Sequence, residues 1–170
     1  MTQSATKIKP LVMSAIFATL GACVQIIEGY IPFAFPLPGG KLGLSNVVNM
    51  VVLKCFGVKY ALLTTTLKSI LAMLLSGNIS ALPYSLAGGL FSVIVMCLAE
   101  KLMKNPGGAG IGIIGAWTNN IVQTAVGAAI MSNIHIFTYI WILGPVSVVT
   151  GAFTGIVSDF IVRKLTWIKK

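Results

Sequence analysis

The sequence predicts an all-α, polytopic membrane protein, a six-transmembrane-helix bundle in which residues 1–170 form a single integral membrane domain. Three observations predict it. First, 56% of the 170 residues are hydrophobic and 9% are charged, against about 25% charged in soluble domains; the mean hydropathy is +0.95. Second, the apolar residues fall in long runs, and a helix needs about 20 residues at ~1.5 Å each to cross roughly 30 Å of hydrocarbon, so the length allows about six crossings with short loops. Third, Lys7, Lys9, Lys54, Lys59, Lys101, Lys104, Arg163, Lys164, Lys169 and Lys170 sit at alternate ends of those runs. If the first two are cytoplasmic, so are the others, which puts both termini in the cytoplasm and the chain in the cell membrane. The net charge of +9 then reads as topological bias. No basic block interleaved with stacking aromatics suggests a nucleic-acid surface.

The first span, about residues 10–28, is too long for a typical signal-peptide core and lacks a small-residue cleavage pattern, so it is expected to be retained. Ser14, Ala18 and Ala22 recur every four residues along it. Such a small-residue ridge lets another helix approach closely, either within the bundle or from a docking partner. Glu28 closes this span, and residues 29–41 are too rich in Pro and Gly for a helix. Their Tyr30, Phe33, Phe35 and Leu37 suggest a segment folded over the outer mouth, as a lid or as an interfacial tether. Lys41 follows it and is expected either to pair with Glu28 or to meet a substrate.

The second and third spans, about 42–57 and 60–76, are short and run together through Gly57, Val58 and Lys59. A short span suits a helix that tilts little or one that ends inside a cavity. Asn46 and Asn49, three apart, share one face of the second. Lys68 lies deep in the third. Charge at that depth is expensive and normally faces the bundle interior or a wet cavity, so Lys68 is a candidate counter-charge for an anionic group. The alternative is pairing with a backbone carbonyl or snorkelling.

A fourth span, 79–99, leads through a small flexible connector, Asn105 to Gly110, to a fifth at 111–131. Asn119 and Gln123 share a face there, with Asn120 adjacent. Amides within lipid-surrounded helices need partners, across helices or on a ligand. The sixth span, 138–162, contains Gly144-Pro145, where a bend is expected. Gly151 and Gly155 suit packing within the bundle, and Asp159 and Arg163, four apart, suit a local ion pair. His135 stands alone in the preceding loop, without the partners of a metal site. Cys23, Cys55 and Cys97 lack CxxC spacing and read as buried small hydrophobes. No cofactor is expected. With three acidic residues in all, the chain lacks an aspartate-rich diphosphate site, a Walker motif and a nucleophile–base pair, so it is expected not to be an enzyme. No internal repeat of the inverted-repeat transporter kind is evident.

Pro36 to Asn46, the intramembrane Lys68, and Gly115 to Gln123 together resemble the Gx transporter family over nearly the whole chain. Members of that family are also labelled heptaprenyl diphosphate synthase component I, and the family is similar to the substrate-binding S components of energy-coupling factor (ECF) transporters. The resemblance implies a six-helix fold that captures a small polar or anionic vitamin-like molecule. It also implies partners: an ECF coupling protein and two ATPase subunits that hydrolyse ATP, docked through Ser14, Ala18 and Ala22. Lys41 and Lys68 would meet an anionic group, while Asn46, Asn49, Asn119, Asn120 and Gln123 orient the remainder. The family's fifth-span motif usually carries His and Gly where this chain has Asn119 and Val122. A second expectation is a non-catalytic membrane subunit of isoprenoid or quinone metabolism, with a cavity for a lipid tail.

Overall fold

The computed structural model describes residues 3–30, 43–104 and 106–165. Lys41 and the bulk of the expected 29–41 segment lie outside the described residues. Among the described residues six α-helices follow one another: α1 (Gln3–Tyr30), α2 (Asn46–Phe56), α3 (Val58–Ser76), α4 (Ala81–Leu102), α5 (Gly108–Met131) and α6 (Ile140–Lys164). A 3-10 helix, Ile134–Tyr139, leads into α6, and no strand occurs among the described residues. The protein is an all-α membrane bundle. Four segments, Ile8–Tyr30, Val58–Ser76, Ala81–Leu102 and Ile134–Lys164, are long and apolar enough to cross a membrane.

Burial is distributed as a lipid environment demands. Leu11, Ile16, Leu20, Phe91, Trp141, Val149, Phe153 and Phe160 are exposed, whereas Ser14, Thr64, Thr65, Ser92, Thr124 and Ser158 are almost fully buried. Lipid tails solvate the large apolar side chains as well as a core would, so small and hydroxyl-bearing residues take the helix–helix seams. Ser14, Thr65, Thr124 and Ser158 each donate to the carbonyl four residues back, while Thr64 and Ser92 reach across to the carbonyls of Ser14 and Gly115 on neighbouring helices.

The sequence places a second span at 42–57, but α2 has only 11 residues. At 1.5 Å per residue it is about 16 Å long, roughly half the hydrocarbon thickness. It packs against α1, α3, α4, α5 and α6, and seven of its residues from Asn46 to Leu53 are buried. An apolar helix this short suits a core position better than a lipid-facing one. Its C-terminal break is the single residue Gly57, at φ +89°, a conformation open to glycine and strained for other residues. α3 ends in the same way at Gly77, φ +66°.

The tightest seam joins α5 to α6. A Cβ on Gly112 would lie 2.1 Å from the Gly151 carbonyl oxygen, and one on Gly155 would lie 2.1 Å from that of Gly108. Gly151 and Gly155 therefore serve packing inside the bundle, as their spacing suggests. Asp159 differs from expectation: its carboxylate pairs with Lys54 of α2 rather than with Arg163 on its own helix. The glycine seam explains the difference. It draws α6 so near the start of α5 that a Cβ at Gly108 would lie 2.0 Å from Asp159 Oδ2. There the carboxylate faces the positive end of α5, and Lys54 reaches it from the last turn of α2, where a cation is favoured. The ridge of α1 is likewise used internally. Ser14, Ala18 and Ala22 are completely buried, α1 packs chiefly on α3, and Thr64 Oγ1 donates to the Ser14 carbonyl at 3.5 Å.

Candidate functional site

Because α2 is half-length, its N-terminus begins at the depth of Lys68, the eleventh residue of the 19-residue α3. Non-helical backbone at that depth is tolerated where protein encloses it or where it lines a cavity. Both conditions hold here. Lys68 is 2% exposed, and its Nζ donates to the Ser45 carbonyl at 3.2 Å and to Ser45 Oγ at 3.1 Å. Glu28, at the end of α1, points its carboxylate at the same turn and accepts from the backbone N–H groups of Gly43 and Leu44. Helix α2 thus starts between a buried ammonium and a buried carboxylate. Its N-terminal dipole adds partial positive charge to the Lys68 side.

Two glycines make room for this arrangement. A Cβ on Gly21 of α1 would lie 2.9 Å from Lys68 Cδ, so the lysine stem runs across a bare stretch of α1. A Cβ on Gly88 of α4 would lie 2.7 Å from Asn119 Oδ1 and 2.9 Å from Gln123 Cγ. The α5 amides therefore sit close against α4. Gln25, Gly43, Ser45, Asn46, Lys68, Ser85, Asn119 and Gln123 together line a cavity of about 10 Å³, room for about one water.

Of the residues expected from the sequence, Asn46, Lys68, Asn119 and Gln123 converge on this cavity. Asn49 stands one turn along α2 and donates to Asn46 Oδ1 at 3.2 Å, leaving Asn46 Nδ2 and Asn49 Oδ1 buried without hydrogen-bond partners. Asn120 points elsewhere, donating to Ser147 Oγ of α6 at 2.7 Å. Lys41 lies outside the described residues. Ser14, Ala18 and Ala22 are buried inside the bundle rather than on a free surface.

Four residues in the cluster carry no signal strong enough to single them out in the sequence. Gln25 interrupts the apolar run of α1, and its Nε2 donates to Ser85 Oγ at 2.8 Å. Ser85 Oγ lies 3.0 Å from Ser69 Oγ. Ser45 is the anchor of Lys68. A lone glutamine or serine between hydrophobes is common enough that only the fold reveals these four on one side. Chemically, the site combines, among the described residues, one buried cation, one buried carboxylate, several amides and three hydroxyls. It suits recognition of a small polar group by charge and hydrogen bonds.

No curated protein and no solved structure matches the chain. One family does match, over residues 17–161, a stretch that contains every residue of the polar cluster and part or all of each helix. On that match the chain belongs to the family described as heptaprenyl diphosphate synthase component I.

Proposed function

We propose that this protein is the solute-capturing subunit of an ATP-driven uptake system of the ECF type, binding a small polar or anionic vitamin-like molecule beside Lys68. The observation that carries the reading is the lysine itself, buried midway along the apolar helix α3, at the N-terminus of a half-length helix and surrounded by amides. Keeping Lys68 there is costly, by about 2.5–3.5 kcal/mol for a central Lys on insertion scales. Buried ionisable groups at that depth are characteristic of solute pathways, and half-helix N-termini facing an anionic group recur in transporters. The small size of the cavity means that binding requires the helices around α2 to part.

In this reading the Lys-rich ends of the bundle, with both chain termini, face the cytoplasm of the cell membrane, and solute arrives at the opposite end. The protein itself is not an enzyme. A coupling protein and ATPase subunits supply the work, and docking through Ser14, Ala18 and Ala22 requires α1 to rotate away from α3. The family description favours a second reading, a non-catalytic subunit of isoprenoid or quinone metabolism. That role calls for a long apolar cavity to hold a lipid tail, whereas the space beside Lys68 is small and polar-lined.

Native mass spectrometry of the protein in mild detergent separates the two. A water-soluble adduct at one per chain, absent from a Lys68→Met variant of unchanged melting temperature, is the expected result. A prenyl lipid or quinone adduct that survives Lys68→Met would overturn capture in favour of the enzyme-subunit role.

A further inference from the structure

Gln25 is buried, 3% exposed, yet its amide is only half used. Nε2 bonds Ser85 while Oε1 has no hydrogen-bond partner. Whichever way the amide is turned, Ser85 engages one end and leaves the other over, and leftover polar atoms in protein interiors are uncommon. Three separate spaces meet at this side chain. The first is the cavity beside Lys68. The second, also about 10 Å³, runs between α1, α3 and α4 past Ser69, Met73 and Leu82. The third, about 190 Å³, opens at the end of the bundle between the last turn of α1 and the α3–α4 turn, lined by Ile26, Tyr30, Ser76 and Asn78. Among the described residues, Gln25 alone lines all three.

We infer that Gln25 is the constriction of an access route from the 190 Å³ vestibule to Lys68, and that its leftover amide atom contacts the solute held there. This deepens the capture reading, on which its second half rests. It also specifies the solute: a neutral hydrogen-bonding group lies beside the anionic one, close enough for Gln25 and Lys68 to engage both across one cavity. Release of Gln25 leaves no hydroxyl stranded, because Ser69 and Ser85 remain within 3.0 Å of each other. One amide swing therefore joins the three spaces.

The route can be tested without knowing the solute. The full chain, with Cys23, Cys55 and Cys97 replaced by alanine and Asn119→Cys as reporter, is reconstituted in liposomes. It is then labelled with 2-sulfonatoethyl methanethiosulfonate, a small anionic thiol reagent. Adding Gln25→Ala is expected to speed labelling by about tenfold, the scale of releasing one neutral hydrogen bond, whereas Gln25→Leu, which keeps the bulk, should not. A parallel Ile111→Cys reporter, fully buried in the apolar core, should stay unlabelled throughout. Labelling of Asn119→Cys unchanged by Gln25→Ala, or equal acceleration at Ile111→Cys, would overturn the inference. Capture stands or falls separately, on the native mass spectrum: a solute bound to a chain whose labelling ignores Gln25 removes the gate and leaves capture intact.

Discussion

Asn119 and Asn120 are neighbours in sequence and about 100° apart around their helix, and that rotation gives them different work. Asn119 faces the Lys68 cavity; Asn120 ties α5 to Ser147 of α6. Interhelical hydrogen bonds in membranes average about 0.6 kcal/mol, so Asn120→Leu should lower unfolding free energy by roughly that amount and leave solute affinity unchanged. Asn119→Ala should do the reverse, weakening solute binding by up to about tenfold for one lost neutral hydrogen bond while the melting temperature holds. Calorimetry on both variants, with titration of the solute identified by mass spectrometry, reads the two effects separately. A binding loss in Asn120→Leu equal to that in Asn119→Ala would mean that the two amides act as one unit. Spacing alone could group Asn119, Asn120 and Gln123 but could not say which amide turns inward, because that depends on where α4 and α6 approach α5. Gln25 was illegible for a related reason: its partner Ser85, and the Ser69 that Ser85 bonds in turn, come from two other helices.

Among the elements, α5 and α6 form the most intimate pair. Their seam is backbone against backbone, so even a methyl group has nowhere to go. Gly112→Ala should destabilise the protein by about 1–3 kcal/mol, the usual cost of overpacking. Gly110→Ala, whose new Cβ would meet nothing within 4 Å, should be neutral or stabilising by up to about 1 kcal/mol, since it removes a helical glycine. Unfolding in mixed detergent measures both, and equal effects would contradict the backbone contact. The existence and order of the helices were legible because membrane crossing imposes long apolar runs with basic ends. The length of α2 was not. Its apolar stretch reads as a span whether lipid or five other helices surround it, and only packing distinguishes the two. The Lys54–Asp159 pair was hidden similarly, since it joins residues 105 positions apart while a nearer partner, Arg163, was available on the same helix.

For the molecule as a whole, the half-length of α2 has an electrical consequence. Under the capture reading, a solute beside Lys68, midway along α3, would rest near the middle of the bilayer and so would have crossed about half of the membrane's potential drop. Moving one elementary charge through the full drop is worth about 2.3 kcal/mol per 100 mV, so half is about 1.2 kcal/mol, or roughly sevenfold in affinity for a monovalent anion. In proteoliposomes with an interior-negative potential of about 100 mV on the cytoplasmic side, an anion arriving from the other face should bind about that much more weakly than at zero potential. A zwitterion should be indifferent to the voltage. On the proposed uptake role, the protein would sense the charge state of its cargo through the field it sits in, and an energised membrane would make capture of anions harder.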